Sequence, residues 1–433
     1  MKRAAFLLAA VMLAGVATAQ DLPPWVLLLS RIKNHVKEEL LRLPSVSCVE
    51  TVEREYKEAK GKMRPLDTVR LEVLTNGEKE FFASPGDRKF SEQHPMSYAG
   101  SGMLGNGLFG MYLSDILVTG NVSNEYKGEE EIGGRRLSRF DYRLPLMWSG
   151  QTIQTVEGSG HVGFHGSYWA DPQTYDVVRL ELNADDFPPT LPLTEAVTTI
   201  NYARTRLGDN LVVLLPESAD LRMVKYSGEI RHNRIGFTHC RVFGAESTID
   251  FQATDGVGET PRFGVAAVDD TLRPLPGGLQ IAVKLHGRIS SDMAVGALIN
   301  GAVASNVGAK GTVVIAAGAP VRGRVRRMER YREPFPHFVV ALEFTELESQ
   351  GIRYRFYADL VEMDPASGVK QTLTARETSE SSDLLQLGRL TRRGKESIFF
   401  YNLPGVATFF FEGAKLELPE DFRTVWKTRA WKP

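Results

Sequence analysis

His161 and His165 are the first residues whose type and spacing suggest chemistry, because two imidazoles four residues apart on a helix can share a zinc ion. Their segment alternates like a strand, however. There the spacing puts both on one face but roughly 13 Å apart, at about 3.3 Å per residue. No glutamate lies between them to act as a base, and His232 and His239 flank another strand without partners at ligand spacing. No metal site is expected. Gly100-Ser101-Gly102-Met103-Leu104-Gly105 matches the dinucleotide fingerprint as a string. That fingerprint needs a strand before it and a crossover helix after it, whereas here Pro95 precedes it in an irregular segment, so no cofactor is expected. A Gly-x-Ser-x-Gly elbow is absent, as is a Ser-x-x-Lys set with its companions. Cys240 adjoins His239, but neighbouring strand residues point to opposite faces, so the imidazole is poorly placed to activate the thiol. The acids Asp185-Asp186 and Glu129 to Glu131 sit beside turn residues and read as solvated. No catalytic residue is assigned, and binding or scaffolding is the expected work.

The chain's start reads as a secretory signal over residues 1–19. Lys2 and Arg3 supply the charged start, Ala4 to Val16 the apolar stretch, and Ala17-Thr18-Ala19 the small-residue cleavage pattern. The apolar stretch is shorter than the about 20 residues a spanning helix needs. No cysteine follows it for acylation, and no later segment reaches that length. The expected location is the periplasm, with peripheral association to the outer membrane as an extension of that reading. Net charge is −1 over 433 residues, with no basic stripe for nucleic acid and no polybasic cluster for anionic lipid. The run Arg322 to Arg330, interrupted by Val325, Met328 and Glu329, reads as the solvated face of a strand. The chain's two cysteines, Cys48 and Cys240, are either a disulfide or two buried thiols. As a bridge they would remove roughly 4–5 kcal/mol of unfolded-state entropy.

Mostly strands would position any site. Leu29, Ile32, Val36, Leu40 and Leu43 predict an amphipathic helix stopped by Pro44, with one stripe to bury against a sheet. Thr68 to Leu74, Asn76-Gly77 and Lys79 to Ala83 form the clearest hairpin signal, with Asn-Gly as a type I′ turn. Strands with short turns continue to Phe243, which favours an antiparallel meander. The exception is Gly100 to Gly110, rich in glycine and followed by a helical stripe from Leu108 to Leu117. That stripe is either a core helix with a flexible entry or a movable lid over an apolar cavity. Trp148 and Trp169 read as core. Residues 255–274 read as a linker, and 275–433 as a second β-rich unit with a polar loop at 367–382.

Gly166-Ser167-Tyr168-Trp169-Ala170-Asp171-Pro172, continuing through Tyr175-Asp176-Val177-Val178-Arg179-Leu180, reads as a strand, an Asp-Pro turn and a returning strand. With Phe237 to Phe243 and Glu246-Ser247, this resembles the lipoprotein carrier (LolA/LolB-like) superfamily and a group of acidobacterial-type exported proteins over about residues 21–251. The resemblance implies a curved antiparallel half-barrel wrapped on helices over residues 20–254, with an apolar cavity for acyl chains. It makes Leu108 to Leu117 the element that plugs the cavity, and Met103, Leu104, Leu108, Phe109, Tyr112 and Leu113 its candidate lining. The second unit is similar to the β-barrel domain of the type IV secretion outer-membrane channel component. The similarity rests on Leu275-Pro276-Gly277-Gly278-Leu279, Leu285 to Asp292 and Val314 to Gly323, and implies a small β-barrel or sandwich. The expected fold class is therefore mainly β (α+β). The expected function is a non-enzymatic envelope protein that binds a lipid or lipidated partner, with an envelope protein as a further partner. The alternatives are a structural protein with a filled half-barrel and an envelope hydrolase.

Overall fold

The computed structural model describes residues 22–77, 79–87, 90–91, 98, 105–119, 121–155, 158–208, 211–243, 272–309, 312–332, 335–364, 369–373, 384–387, 398–401 and 405–431. The expected signal segment, Met103, Leu104, residues 255–271 of the expected linker and 374–382 of the polar loop lie outside these.

Helix α1 spans Pro24–Arg42. Pro24 suits the first turn, where its fixed φ fits and its missing N–H would have no helical acceptor. Ile32 and Val36 on the apolar stripe are buried, and Leu28, Leu29 and Leu40 pack beside them. Three strands follow: β1 (Val46–Lys57), β2 (Arg64–Thr75) and β3 (Glu80–Ala83). The stripe after the glycine-rich stretch forms a single α-turn, α2 (Met111–Ser114), running into a π-helix over Asp115–Thr119. Then come β4 (Ser123–Ile132) and β5 (Arg135–Leu144). A small separate hairpin, β6 (Thr152–Gln154) with β7 (Ser159–His161), precedes β8 (Gly163–Ala170) and β9 (Val177–Asp185). The long strands β10 (Leu193–Leu207), β11 (Leu211–Lys225) and β12 (Ile230–Val242) complete the first half.

These strands pair antiparallel in the order β3-β2-β1-β12-β11-β10-β9-β8-β5-β4, a ten-stranded sheet curled into a half-barrel. The β8–β9 hairpin forms as read from its Asp-Pro turn. Asp171 Oδ1 accepts the N–H groups of Gln173 (2.8 Å) and Thr174 (3.1 Å), an Asx turn that leaves Tyr175 at positive φ. The β2–β3 hairpin forms with a different turn. Thr75 pairs with Glu80, so the loop is four residues long, and only Gly77 of the Asn-Gly pair has positive φ. Lys79 N–H reaches the Asn76 side chain at 2.9 Å, a local bond that replaces the two-residue type I′ geometry.

The first and last strands of this half, β1 and β12, lie side by side, and a disulfide joins Cys48 to Cys240 across them. A β-bulge sits at that point, where Ser47 pairs with Arg241 but Val49 with Thr238, and His239 takes a φ of +52°. The extra residue breaks the alternation that would otherwise decide which way Cys240 faces.

In the second half the strand His337–Ser349 lies between Pro320–Tyr331 on one side and Ile352–Arg355 and Val406–Glu412 on the other. Its sheet runs on through Leu298–Val303 and Gln280–His286 to Arg423–Thr428. Phe338, Phe344, Phe356, Phe409 and Trp426 are its large buried residues. Arg273–Pro274, at the end of the expected linker, pairs in parallel with Tyr354–Arg355. Val369–Leu373, inside the expected polar loop, pairs with Val406–Glu412.

The halves meet along β2. Val69 and Val295 form a parallel bridge, with Arg70 N–H donating to Val295 O (2.9 Å) and Val295 N–H to Thr68 O (2.8 Å). Beside it lies a buried charge cluster. Arg54 holds Asp67 through both Nε and a terminal nitrogen at 2.6 Å and lies 3.5 Å from Glu329, which also accepts from Arg327 and from the Tyr331 hydroxyl. Tyr331 packs on Tyr56 at 5.4 Å. This corrects the reading of Arg322 to Arg330 as a solvated face, since Arg324, Arg327 and Glu329 are all buried. They are affordable inside because each charge has an opposite one in contact.

Candidate functional site

The concave face of the first sheet is where the expected cavity would lie, and two elements cover it: α1 and the segment 105–119. Leu108, Phe109 and Leu113 are buried in the common core, with Ile116 and Leu117 of the π-helix, while Tyr112 is half-buried. The Phe109 ring meets Phe237 of β12 edge-on at 5.0 Å, and Tyr112 meets Phe164 of β8 at 6.1 Å. From β10, the Tyr202 hydroxyl donates to Leu108 O at 3.0 Å. Among the described residues, one pocket between α1 and this plug measures about 20 Å³ and is bordered by Val36, Leu40, Phe109 and Leu113. That is room for about one water, far below the roughly 300 Å³ of a small-molecule site.

A carboxylate fastens the plug. Glu80, the first residue of β3, accepts the N–H groups of Gly107 (2.6 Å) and Phe109 (2.9 Å), which would otherwise be buried without partners. Burial pushes its pKa up to about 7 even though those N–H groups favour the ionised form. Glu50 of β1 is buried too, across from Phe237 on β12 and Leu71 on β2. Desolvation first, and then the charge of Glu80, hold it well above the usual carboxylate range. Among the described residues Glu50 Oε1 has no hydrogen-bond partner, and neither has Ser47 Oγ. Desolvation also raises the phenols of Tyr112 and Tyr202. A polar cluster therefore lies inside an otherwise apolar concavity, directly beneath the plug. Sequence parity carried a signal for it. Glu50 shares the inward-facing register of Cys48, Val52 and Tyr56, but an acid in an alternating strand is ordinarily a solvent-facing residue.

At the rim, the 3₁₀ turn Leu146–Trp148 exposes three apolar side chains in a row, Leu146 by 39%, Met147 by 78% and Trp148 by 54%. Trp148 is thus not core. Trp169 is buried, but between the guanidinium groups of Arg139 and Arg179 at 5.4 and 5.6 Å, with its N–H on Glu130 at 2.8 Å. It belongs to a charged lattice of the sheet, not to the apolar core. Gln151, just past the exposed turn, donates to Asp115 of the π-helix at 2.6 Å.

The histidines stand apart from one another. His165 lies 2.8 Å from Asp185, His161 3.1 Å from the Thr152 hydroxyl, and His232 between Glu55 and Asp220. Among the described residues no three His, Cys, Asp or Glu side chains are grouped to hold a metal ion. His35 on α1 lies 2.9 Å from Asp176, which Arg204 also grips, and Arg204 reaches Glu39 at 2.7 Å. These groups pin α1 to the sheet. Among the described residues no helix is long and apolar enough to cross a membrane.

No family model and no curated protein matches the sequence. Among solved structures, it is similar to a LolA superfamily protein from Nitrosomonas europaea at 12% identity, over 50% of this chain and 94% of that one, with a TM-score of 0.25. An outer membrane lipoprotein-sorting protein domain from Vibrio parahaemolyticus matches at 12% identity over 52% and 97% of the two chains, with a TM-score of 0.27. A DUF1329 family protein from Desulfovibrio piger matches at 12% identity over 49% and 92%, with a TM-score of 0.25.

Proposed function

We propose that the first half binds an acyl chain, free or on a lipidated partner, which takes the place of the 105–119 plug on the concave face. The work is binding, not catalysis, in the periplasm, with the second half as the surface for an envelope partner. The observation that carries this reading is the way the plug is held. It enters through Gly105, Gly107 and Gly110, makes one α-turn and a π-turn, and is fastened by one buried carboxylate of raised pKa. π-turns are rare and concentrate at functional sites.

The energies allow an exchange. Burying Leu108, Phe109, Leu113, Ile116 and Leu117 is worth about 1.5–3 kcal/mol each, roughly 10 kcal/mol together. A sixteen-carbon chain returns about 0.8 kcal/mol per methylene, roughly 12 kcal/mol. Near balance, a small bias decides which occupant sits on the sheet. The second reading is a structural half-barrel filled by its own side chains, and the 20 Å³ pocket favours it.

Titration of delipidated protein with a fluorescent fatty acid separates the two. The carrier reading expects saturable uptake, tightened in Leu113→Ala because a trimmed plug competes less, together with a stability loss of about 2–5 kcal/mol. The same stability loss with a flat titration in both proteins would leave only the filled half-barrel.

A further inference from the structure

Between the two halves lies a second, larger opening, a cleft of about 540 Å³, which does not depend on the acyl-chain reading. From the first half, Ser84 and Asp87 after β3, together with Tyr98, form one wall. The Tyr98 hydroxyl donates to Phe82 O at 2.8 Å, so the ring is the part of this residue left to the cleft. The opposite wall belongs to the second sheet. On the strand Pro320–Tyr331, Val321 and Val325 turn into the core, while Arg322, Arg324 and Arg326 line the cleft. Glu343, Thr345 and Glu346 join them from His337–Ser349, and Arg353 and Arg355 from Ile352–Arg355. Leu298, 60% exposed, adds an apolar edge.

The charges in this cleft are set against one another. Arg322 lies between Glu346 at 2.8 Å and Glu348 at 3.7 Å, and Arg353 holds Glu346 at 2.8 and 2.9 Å. Arg326 holds Glu343 at 2.6 Å. Arg324 donates to Pro85 O, Gly296 O and Asp87, and Arg355 lies over the Trp431 ring at 4.4 Å. Each guanidinium group is thus already engaged, and an anion entering the cleft would compete with an acid or a ring in place. What such pairs offer instead is direction. A guanidinium carries five N–H groups and a carboxylate about four lone pairs, so a pair that fixes both side chains still presents donors and acceptors at set angles. Arg322, Arg353 and Asp87 are each about half-exposed, and the exposed Thr345 hydroxyl donates or accepts. The cleft therefore joins a lattice of fixed donors and acceptors to an aromatic ring. It is of ligand size and lies at a boundary between halves, where binding sites concentrate.

We propose that this cleft binds a neutral oligosaccharide. Sugar hydroxyls both donate and accept, so they fit a wall on which donors and acceptors alternate, and they bring no charge to be compensated. The C–H face of a sugar ring is apolar and packs on an aromatic surface, the part that Tyr98 presents. An ion finds no uncommitted partner here, and an acyl chain would strip water from the paired charges.

The test is calorimetric titration of the intact protein with three neutral probes: the N-acetylglucosamine trimer, maltotriose and mannotriose. At least one should bind, with an affinity that does not change between low and high salt. A hyaluronan tetrasaccharide, whose rings carry carboxylates, should bind no more tightly than the best neutral probe. Thr345→Trp, at an exposed position, should abolish binding by filling the cleft. Tyr98→Leu should weaken it up to about tenfold, the loss expected for one aromatic contact, whereas Tyr98→Phe, which keeps the ring, should leave it unchanged. Melting curves check that the variants are folded, and Thr345→Trp carries the test should Tyr98→Leu unfold. No heat with any neutral probe would overturn the site. So would tighter, salt-sensitive binding of the hyaluronan fragment, or binding that survives Thr345→Trp.

Discussion

Glu80 and Glu50 decide how the first half responds to pH. Both are acids raised above their ordinary value in the fold, Glu80 to about 7 from 4.5. The folded state therefore binds more protons than the unfolded one between those values. The stability from this excess is fully present below about pH 4.5 and is lost as pH rises through 7. For Glu80 the shift corresponds to about 3 kcal/mol. Because the two carboxyls repel, their protons belong to the pair. Urea midpoints should accordingly fall from pH 5 to pH 8 in wild type and fall less in Glu80→Gln. Parallel slopes in the two proteins would show that the carboxyl does not titrate in its buried setting. The same loss of stability marks the direction in which the plug is released, so uptake of an acyl chain should rise over that interval.

At the scale of elements, the half-barrel depends on two attachments of different character. One is α1, whose stripe of Ile32 and Val36 is apolar and whose polar side is tied through His35, Glu39, Asp176 and Arg204. The other is the β1–β12 seam, where the Cys48–Cys240 bridge joins residues 192 positions apart. Replacing both cysteines with serine should cost about 2–5 kcal/mol, seen as a lower urea midpoint that reductant no longer moves. A double variant as stable as wild type would mean that strand pairing alone holds the seam. Much at this scale was legible from residue patterns: the stripe of α1, most strands of the meander, the Asp-Pro hairpin and the candidate cysteine pair, but not β4, whose Glu129 to Glu131 read as turn acids. The π-turn was not, because Leu108 to Leu117 satisfies a helical period over too few residues to reveal that the chain widens after Ser114.

For the whole molecule, the two halves are joined at the junction along β2 by backbone hydrogen bonds and a buried charge cluster. Arg54, Asp67, Arg327 and Glu329 are buried at it, and each charge depends on its neighbours. Glu329→Gln should destabilise by about 3–5 kcal/mol, since it removes the buried carboxylate that Arg327 and the Tyr331 hydroxyl donate to and leaves the cluster one negative charge short. In thermal unfolding, wild type should melt in a single transition, and the variant should melt earlier. An unchanged melt would show that water reaches the cluster. Nothing in the sequence pattern revealed this junction. A basic run with one glutamate reads as a solvated face, and only a second sheet laid against it turns Arg327 and Glu329 inward. The contact between Asp87 and Arg324 was hidden for the same reason, its partners lying 237 residues apart along the chain.

Because β1 and β12 begin and end the first sheet side by side, their sulfur bridge closes nearly the whole half-barrel into a ring of chain. A protease that severs any one loop between Cys48 and Cys240 therefore opens the ring without releasing either fragment. Where reductant is scarce, such a nicked molecule would keep its sheet and still migrate as two pieces once reduced.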